Sequence, residues 1–320
     1  MIFAIIFVLL LANILACYLG YKAFKSRLWF FVWFIVVWGL TAIPFLHLFG
    51  LMPEWGEKYW LIGGYSWLIG VFYLDFFIIL INIIFLLIDP KKSLSGCFWL
   101  KAFVICILMA VFFGTGAYLA QVPKIMTYEI EMDKENSELK KLNLLMISDL
   151  HLGLIEDQQQ LAKWVHKINA LQPQLICICG DVLNDGFREI GDPQGFQQEL
   201  ARLSAPCGVY ACLGNHDLGQ NTQAEIAEWF QGAGVQLLRD EYVETAGLIV
   251  AGLDYKSNWQ SENTASLDFL SDLPNPNQPV ILLEHNPARL AEQGEADLIL
   301  AGHTHRGQVF PLNLITRHLF

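Results

Sequence analysis

Six short apolar runs beyond residue 141 of this 320-residue chain each end in a polar cluster. Residues 142–148 run into Asp149-Leu150-His151, 175–179 into Gly180-Asp181, and 208–213 into Gly214-Asn215-His216-Asp217. Residues 248–253 precede Asp254, 280–283 precede Glu284-His285, and 298–301 precede Gly302-His303-Thr304-His305. Neutral imidazole, carboxylate and amide oxygen form a hard-to-borderline donor set that suits Mn, Fe, Zn or a similar divalent ion. A single histidine is ordinarily a hydrogen-bonded core residue. Five at matching run ends make a metal-ligand cluster the better reading.

The elements that position these residues follow from their flanks. Apolar runs of this length, several rich in Ile and Val and bounded by Gly and polar residues, read as buried strands. Between them, Leu161, Trp164, Val165, Ile168 and Leu171 fall on one helical face before Pro173. Ile226, Trp229 and Phe230 make a second face before Gly232. Strands alternating with helices predict an α/β domain. In such domains polar residues just beyond the strand ends gather in one crevice.

The ordered blocks Asp149-x-His151, Gly180-Asp181, Gly214-Asn215-His216-Asp217, His285 and Gly302-His303-x-His305 resemble the calcineurin-like metallophosphoesterase family. The likeness covers about residues 142–310. It is nearest to a membrane-attached bacterial branch, through Asp-Leu-His-Leu-Gly at 149–153 and Gly-His-Thr-His-Arg-Gly-Gln at 302–308. The resemblance implies a four-layer sandwich of two packed mixed sheets flanked by helices. It also implies two divalent metal ions, one held by Asp149, His151, Asp181 and His305 and the other by Asp181, Asn215, His285 and His303. Asp181 would bridge them, offsetting repulsion between dications about 3.5–4 Å apart, and a bridging hydroxide would attack phosphorus in line. His216 would stabilise the transition state or protonate the leaving oxygen, with Asp217 orienting its ring. The family continues for several strands beyond the point matching Phe320, fifteen residues after His305, so the implied second sheet is incomplete or the sequence truncated.

Weaker candidates have plain structural readings beside the functional ones. Asp185 is a second-sphere group or a polar turn residue before Gly186, and Asp254 a turn or cap. His166 reads as a solvated helix residue, Cys177 and Cys179 as buried thiols on one strand face. Cys207 and Cys212 could pair as a disulfide only in an oxidising compartment, and the motif needs no thiol. Two long polar loops, 183–193 with Arg188 and 256–279 with Trp259 and Asn263, shape a substrate pocket or are surface excursions.

Composition separates a second region. The chain is 54% hydrophobic, with a mean hydropathy of +0.41, above the usual share for a soluble domain. Residues 1–120 carry a net charge of +3 and residues 121–320 one of −14. An entirely soluble protein, a disordered chain and a disulfide scaffold are excluded. The acidic second part argues against nucleic acid as partner. Four apolar runs, 2–20, 28–49, 66–88 and 98–120, are each long enough to cross a bilayer. The first lacks the basic start of a signal peptide, so it reads as a retained helix despite a faint lipoprotein-like Ile14-Leu15-Ala16-Cys17.

The expected organisation is four transmembrane helices over 1–120, a linker with an edge strand at 128–132 over 121–141, and a metallophosphoesterase domain over 142–320. Lys22, Lys25 and Arg27, and then Lys91 and Lys92 with Lys101 nearby, mark the first and third loops as cytoplasmic. Four spans then put the catalytic domain outside the cytoplasm. Asp75 and Asn82 share a face of the third run. They are a functional site in the membrane or, with Asn13, polar contacts between helices.

The expected activity is hydrolysis of a phosphodiester or pyrophosphate, lipid-linked because the anchor confines the site near headgroups. The rivals are a metal-binding interaction protein without hydrolysis, and a transporter whose sensor is the metal-site domain.

Overall fold

The computed structural model describes residues 13–14, 17, 26–49, 51–52, 56–88, 98–122, 124–132, 134, 140–188, 190–255, 268–271, 277–287 and 296–305. The chain forms two compact units, Met1–Tyr128 and Glu129–Phe320.

In the first unit α1 (Arg27–Leu48), α2 (Glu57–Ile88) and α3 (Phe98–Gln121) are each long and apolar enough to cross a membrane. Large apolar side chains such as Trp29, Phe31, Ile83 and Phe103 are exposed around them, the pattern of helices solvated by lipid. Among the described residues there are three such helices. The expected fourth, over 2–20, lies outside them apart from Asn13, Ile14 and Cys17, and so do the loop residues Lys22, Lys25, Lys91 and Lys92. The helix starting at Glu57 extends the third apolar run backwards from Ser66.

The polar groups in this unit join helices. The Thr41 hydroxyl lies 2.8 Å from Asn13 Oδ1 and accepts the Trp67 indole N–H at 3.1 Å. Lys101, near the third loop and within the fourth apolar run, is buried in α3 and donates to Asn82 Oδ1 at 2.9 Å. Asp75 Oδ1 is buried with no hydrogen-bond partner among the described residues.

In the second unit, β1 (Leu144–Ile147), β2 (Leu175–Cys179), β3 (Val209–Cys212) and β4 (Gln236–Leu237) form one sheet in that order, parallel throughout. Parallel neighbours need crossovers, supplied here by α4 (Gln158–Ala170), α5 (Pro193–Leu200) and α6 (Gln223–Gly232). Each helix is capped by its own sequence: Asp157 accepts from Gln160 N, Asp192 from Gly195 N, and Thr222 and Glu225 close a capping box. The second sheet orders β5 (Glu241–Thr245), β6 (Leu248–Gly252), β7 (Val280–Leu283) and β8 (Leu298–Leu300). Its β5–β6 pair is antiparallel and the others parallel. The expectation of two mixed sheets is therefore corrected among the described residues: only the second is mixed, because every link in the first runs through a helix.

Strand alternation divides the core. Ile176 and Ile178 of β2 face the helices, packing with Leu161, Val165, Phe196, Leu200, Ile226 and Phe230. Leu175, Cys177 and Cys179 face the other way, into a layer with Cys212, Leu248, Val250, Ile281 and Leu283 from β3 and the second sheet. The second sheet's far face holds Ala251, Leu282 and Leu270, the last from the four-residue α7 (Asp268–Ser271). Residues 124–132 form no strand. The alternation there puts Met132 into the inter-sheet layer, but Tyr128 and Ile130 stay exposed, and a strand needs a partner edge as well as a face.

Candidate metal centre

All nine residues singled out from the run ends follow strands of the two sheets. Asp149 and His151 follow β1, Asp181 follows β2, and Asn215, His216 and Asp217 follow β3. His285 follows β7, and His303 and His305 follow β8. The chains leaving β1 and β2 stay paired past the strand ends: Asp149 N donates to Gly180 O, His151 N to Asp181 O and Leu152 N to Val182 O. The two sheets meet across the same place. His303 N donates to both Asp149 carboxylate oxygens at 3.0 and 3.1 Å.

The backbone here is bent into uncommon conformations. Asp149, His151, Asp181, His303 and His305 all have positive φ, between 44° and 72°. Each such residue costs about 1–3 kcal/mol, so a surrounding structure must hold it. Glycines make the bends possible. A Cβ on Gly180 (φ 76°) would come within 2.6 Å of His285 Nδ1 and 2.7 Å of Gly214 N. A Cβ on Gly214 or Gly302 would strike the Asp181 carboxylate or Ser148 Oγ. The glycines before Asp181, Asn215 and His303 are therefore steric requirements.

Three overlapping groups of potential ligand atoms form: Asp149, His151 and His305; Asp181, His285 and His303; and, between them, His151, Asp181 and His216. Asp181 Oδ2 lies 3.1 Å from His285 Nε2 and 3.7 Å from His151 Nε2, touching both. Asn215 Oδ1 sits 3.2 Å from His285 Nε2. His285 Nδ1 donates to the Cys179 carbonyl at 2.8 Å, which leaves Nε2 as a lone pair facing Asp181 and Asn215. His151 and His305 turn Nε2 toward each other at 3.1 Å, with Asp149 Oδ1 3.2 Å from His305 Nε2. His151 Nδ1 is buried with no hydrogen-bond partner among the described residues. Converging imidazole lone pairs and carboxylates repel unless a proton or cation lies between them, so this donor set fits divalent metal.

Electrostatics within the centre are uneven. Burial lowers the pKa of His151 and of His303, despite the pull of Asp181. Burial is the largest influence on His285 and opposes its charge, but the hydrogen bond and charge of Asp181, the Cys179 carbonyl and the charge of Asp149 together outweigh it and raise its pKa. At Asp181 burial is outweighed in the same way by His285 together with His216, and the pKa is lowered. Burial pushes Asp217 up to about 6, against three N–H donors.

One expectation is revised, and one open question is answered. Asp217 accepts from the N–H groups of Asp181, Leu183 and Gly214, at 2.9, 2.9 and 2.7 Å. The ring of the exposed His216 is held instead at Nδ1 by the Asn184 carbonyl, 2.7 Å away. A buried carboxylate next to three orphaned amides satisfies them first. Cys207 and Cys212 are both free thiols.

Asp185 is a turn residue paired with Arg188, Asp254 takes Arg239 through both oxygens, and His166 is exposed on α4. Burial raises the thiol pKa of Cys177, Cys179 and Cys212, which pack the inter-sheet layer. Loop 183–188 borders the site, whereas Trp259 and Asn263 lie outside the described residues. The carbonyls of Cys179 and Asn184 were not foreseen, since a main-chain acceptor has no signature in residue type.

The fold and this centre define a metal-dependent phosphoesterase domain, and residues 142–307, more than half the chain, match the calcineurin-like phosphoesterase family. The chain belongs to that family. It is 26% identical to a metallophosphoesterase of Helicobacter pylori over 90% of this chain and 77% of that protein. It is 32% identical to one of Aquifex aeolicus over 64% of this chain and 77% of the other. A transmembrane protein with metallophosphoesterase domain from Danio rerio is 27% identical over 67% of this chain, which spans about half (51%) of that relative.

Proposed function

We propose that the chain is a membrane-anchored phosphoesterase working with two divalent ions. One observation carries the reading: the single Asp181 carboxylate touches both ligand groups, at 3.1 and 3.7 Å. Asp149, His151, Asp181 and His305 would hold one ion, and Asp181, Asn215, His285 and His303 the other. Such a pair makes a nucleophile from water near neutral pH and neutralises phosphoryl oxygens. The chain's own residues do the rest. Asp181 would contribute to both ion sites, and the Cys179 carbonyl holds His285 in the tautomer that presents Nε2. His216, anchored at Nδ1 by Asn184, offers Nε2 to the leaving oxygen.

The substrate read here is a phosphodiester or pyrophosphate on a membrane lipid. Three apolar helices on the same chain and relatives described as transmembrane proteins support a site confined near headgroups. The basic residues of the first and third loops support an extracytoplasmic domain.

Full-length protein in detergent, stripped of metal and reloaded with Mn²⁺, should hydrolyse a chromogenic phosphodiester in preference to a phosphomonoester. Asp181→Asn and His216→Asn should each abolish most of that turnover. A protein that binds no metal and hydrolyses neither ester would overturn the reading.

A further inference from the structure

The His216 ring is exposed, and an exposed imidazole ordinarily samples several rotamers. Here its Nδ1 is held by a loop carbonyl, that of Asn184, so the ring is only as well placed as that loop. Hydrogen bonds along the loop include Leu183 N to Asp217 Oδ1, Asn184 N to Leu152 O, Gly186 N to His216 O, and Phe187 N to Asn221 Oδ1 at 2.8 Å. Asp217 holds the end next to β2, and Asn221 holds the far end, from five residues beyond His216 on the stretch leading into α6.

Asn221 is built into that position from both sides. Gly186 (φ 53°) has no room for a side chain, since a Cβ there would lie 2.5 Å from Asn221 Oδ1 and 2.6 Å from Leu218 O. The amide therefore packs directly on the loop backbone. Asn221 donates its backbone N–H to Leu218 O and directly precedes Thr222, the N-cap of α6. Thr222 is held in a capping box with Glu225, and α6 is anchored in the core by Ile226, Trp229 and Phe230. A continuous path runs from a rigid helix cap through Asn221 and the loop to the imidazole.

We propose that Asn221 is a positioning residue for His216, transmitting the rigidity of the α6 cap through residues 184–187 to the ring; this rests on the phosphoesterase reading of the site. A turn-forming asparagine would affect stability alone. A positioning residue lowers kcat while leaving metal binding and KM in place, because the ring acts on the leaving oxygen and not on the bound ions.

The test uses the full-length protein loaded with Mn²⁺ and a chromogenic phosphodiester. Asn221→Ala should lower kcat about ten- to a hundredfold, the scale of an ångström-sized misplacement, with KM within about twofold and metal content unchanged. Asn221→Asp keeps an acceptor oxygen for Phe187 N and should recover most of the loss. Amide hydrogen exchange on the same variants needs no turnover. In Asn221→Ala, residues 183–188 should exchange faster while β1 and β2 keep their protection. Unchanged exchange at 183–188 overturns the proposal whatever the activity, and so does faster exchange with wild-type kcat. Wild-type protein that hydrolyses no ester defeats the enzyme reading, and the exchange result then still decides whether Asn221 tethers the loop.

Discussion

Asp217 Oδ2 accepts the backbone N–H of Asp181 at 2.9 Å, so the residue that joins the two ligand groups is held by a buried carboxylate from the next strand end. With its bonds to Leu183 N and Gly214 N, this side chain ties together the ligand-bearing loops after β2 and β3, the first of which has positive φ at Gly180 and Asp181.

Asp217→Ala leaves those three amides buried and unpaired, at about 1–3 kcal/mol each, though not additively. The expected outcome is a loss of about 3 kcal/mol or more with much reduced metal content. Asp217→Asn, which keeps one acceptor oxygen, should fall between. Thermal unfolding and metal analysis of the two variants check this; an Asp217→Ala protein as stable and as metal-rich as wild type would remove Asp217 from this role.

Gly180→Ala tests the steric requirement. The new methyl meets His285 Nδ1 and Gly214 N, and alanine resists the φ of 76°. Strain of about 1–3 kcal/mol plus loss of the His285–Cys179 bond should weaken metal binding at His285 more than at His151. Titration that distinguishes two metal equivalents should show one site lost first.

Metal loading should release protons. With its pKa raised, His285 stays protonated to higher pH in the metal-free protein. That proton contributes stability fully below the ordinary imidazole pKa near 6.5, and the contribution is lost as pH rises through the raised value. A metal needs the neutral ring, so affinity for Mn²⁺ should fall as pH drops through this window, with proton release on binding. Calorimetry in two buffers of different ionisation enthalpy measures it. Identical heats in both buffers would contradict the competition.

Asp75→Asn should leave phosphoesterase turnover within about twofold of wild type, because the polar contacts of this unit join helices to one another. A large loss of turnover with normal metal content would instead assign the membrane unit a part in the reaction.

The site was legible in the sequence because parallel strands deliver their chemistry at one end. Leu175–Cys179 and Val280–Leu283 could be read to the residue, since a strand buried on both faces is apolar throughout and stops at its first polar neighbour. The short α5 was not read, although Asp192-Pro193 marks its start, because Phe196 and Leu200 give it only two large buried side chains. The polar edge strand β5 was missed for a related reason: its glutamates face outward and mask Tyr242 and Val243. The partner of Lys101 was not legible, because a charge count cannot see that a lysine reaches Asn82 on the neighbouring helix.

The residue types at strand ends by themselves determined the chemical class of the centre, because donor hardness and spacing are properties of the chain. Only the tertiary structure decided which group holds which. His285 takes its tautomer from a carbonyl 106 residues away, His216 its orientation from Asn184, and Asp217 serves amides in place of its neighbour's ring. Those partners are backbone atoms, identical in every residue, and folding alone determines which of them comes within 3 Å.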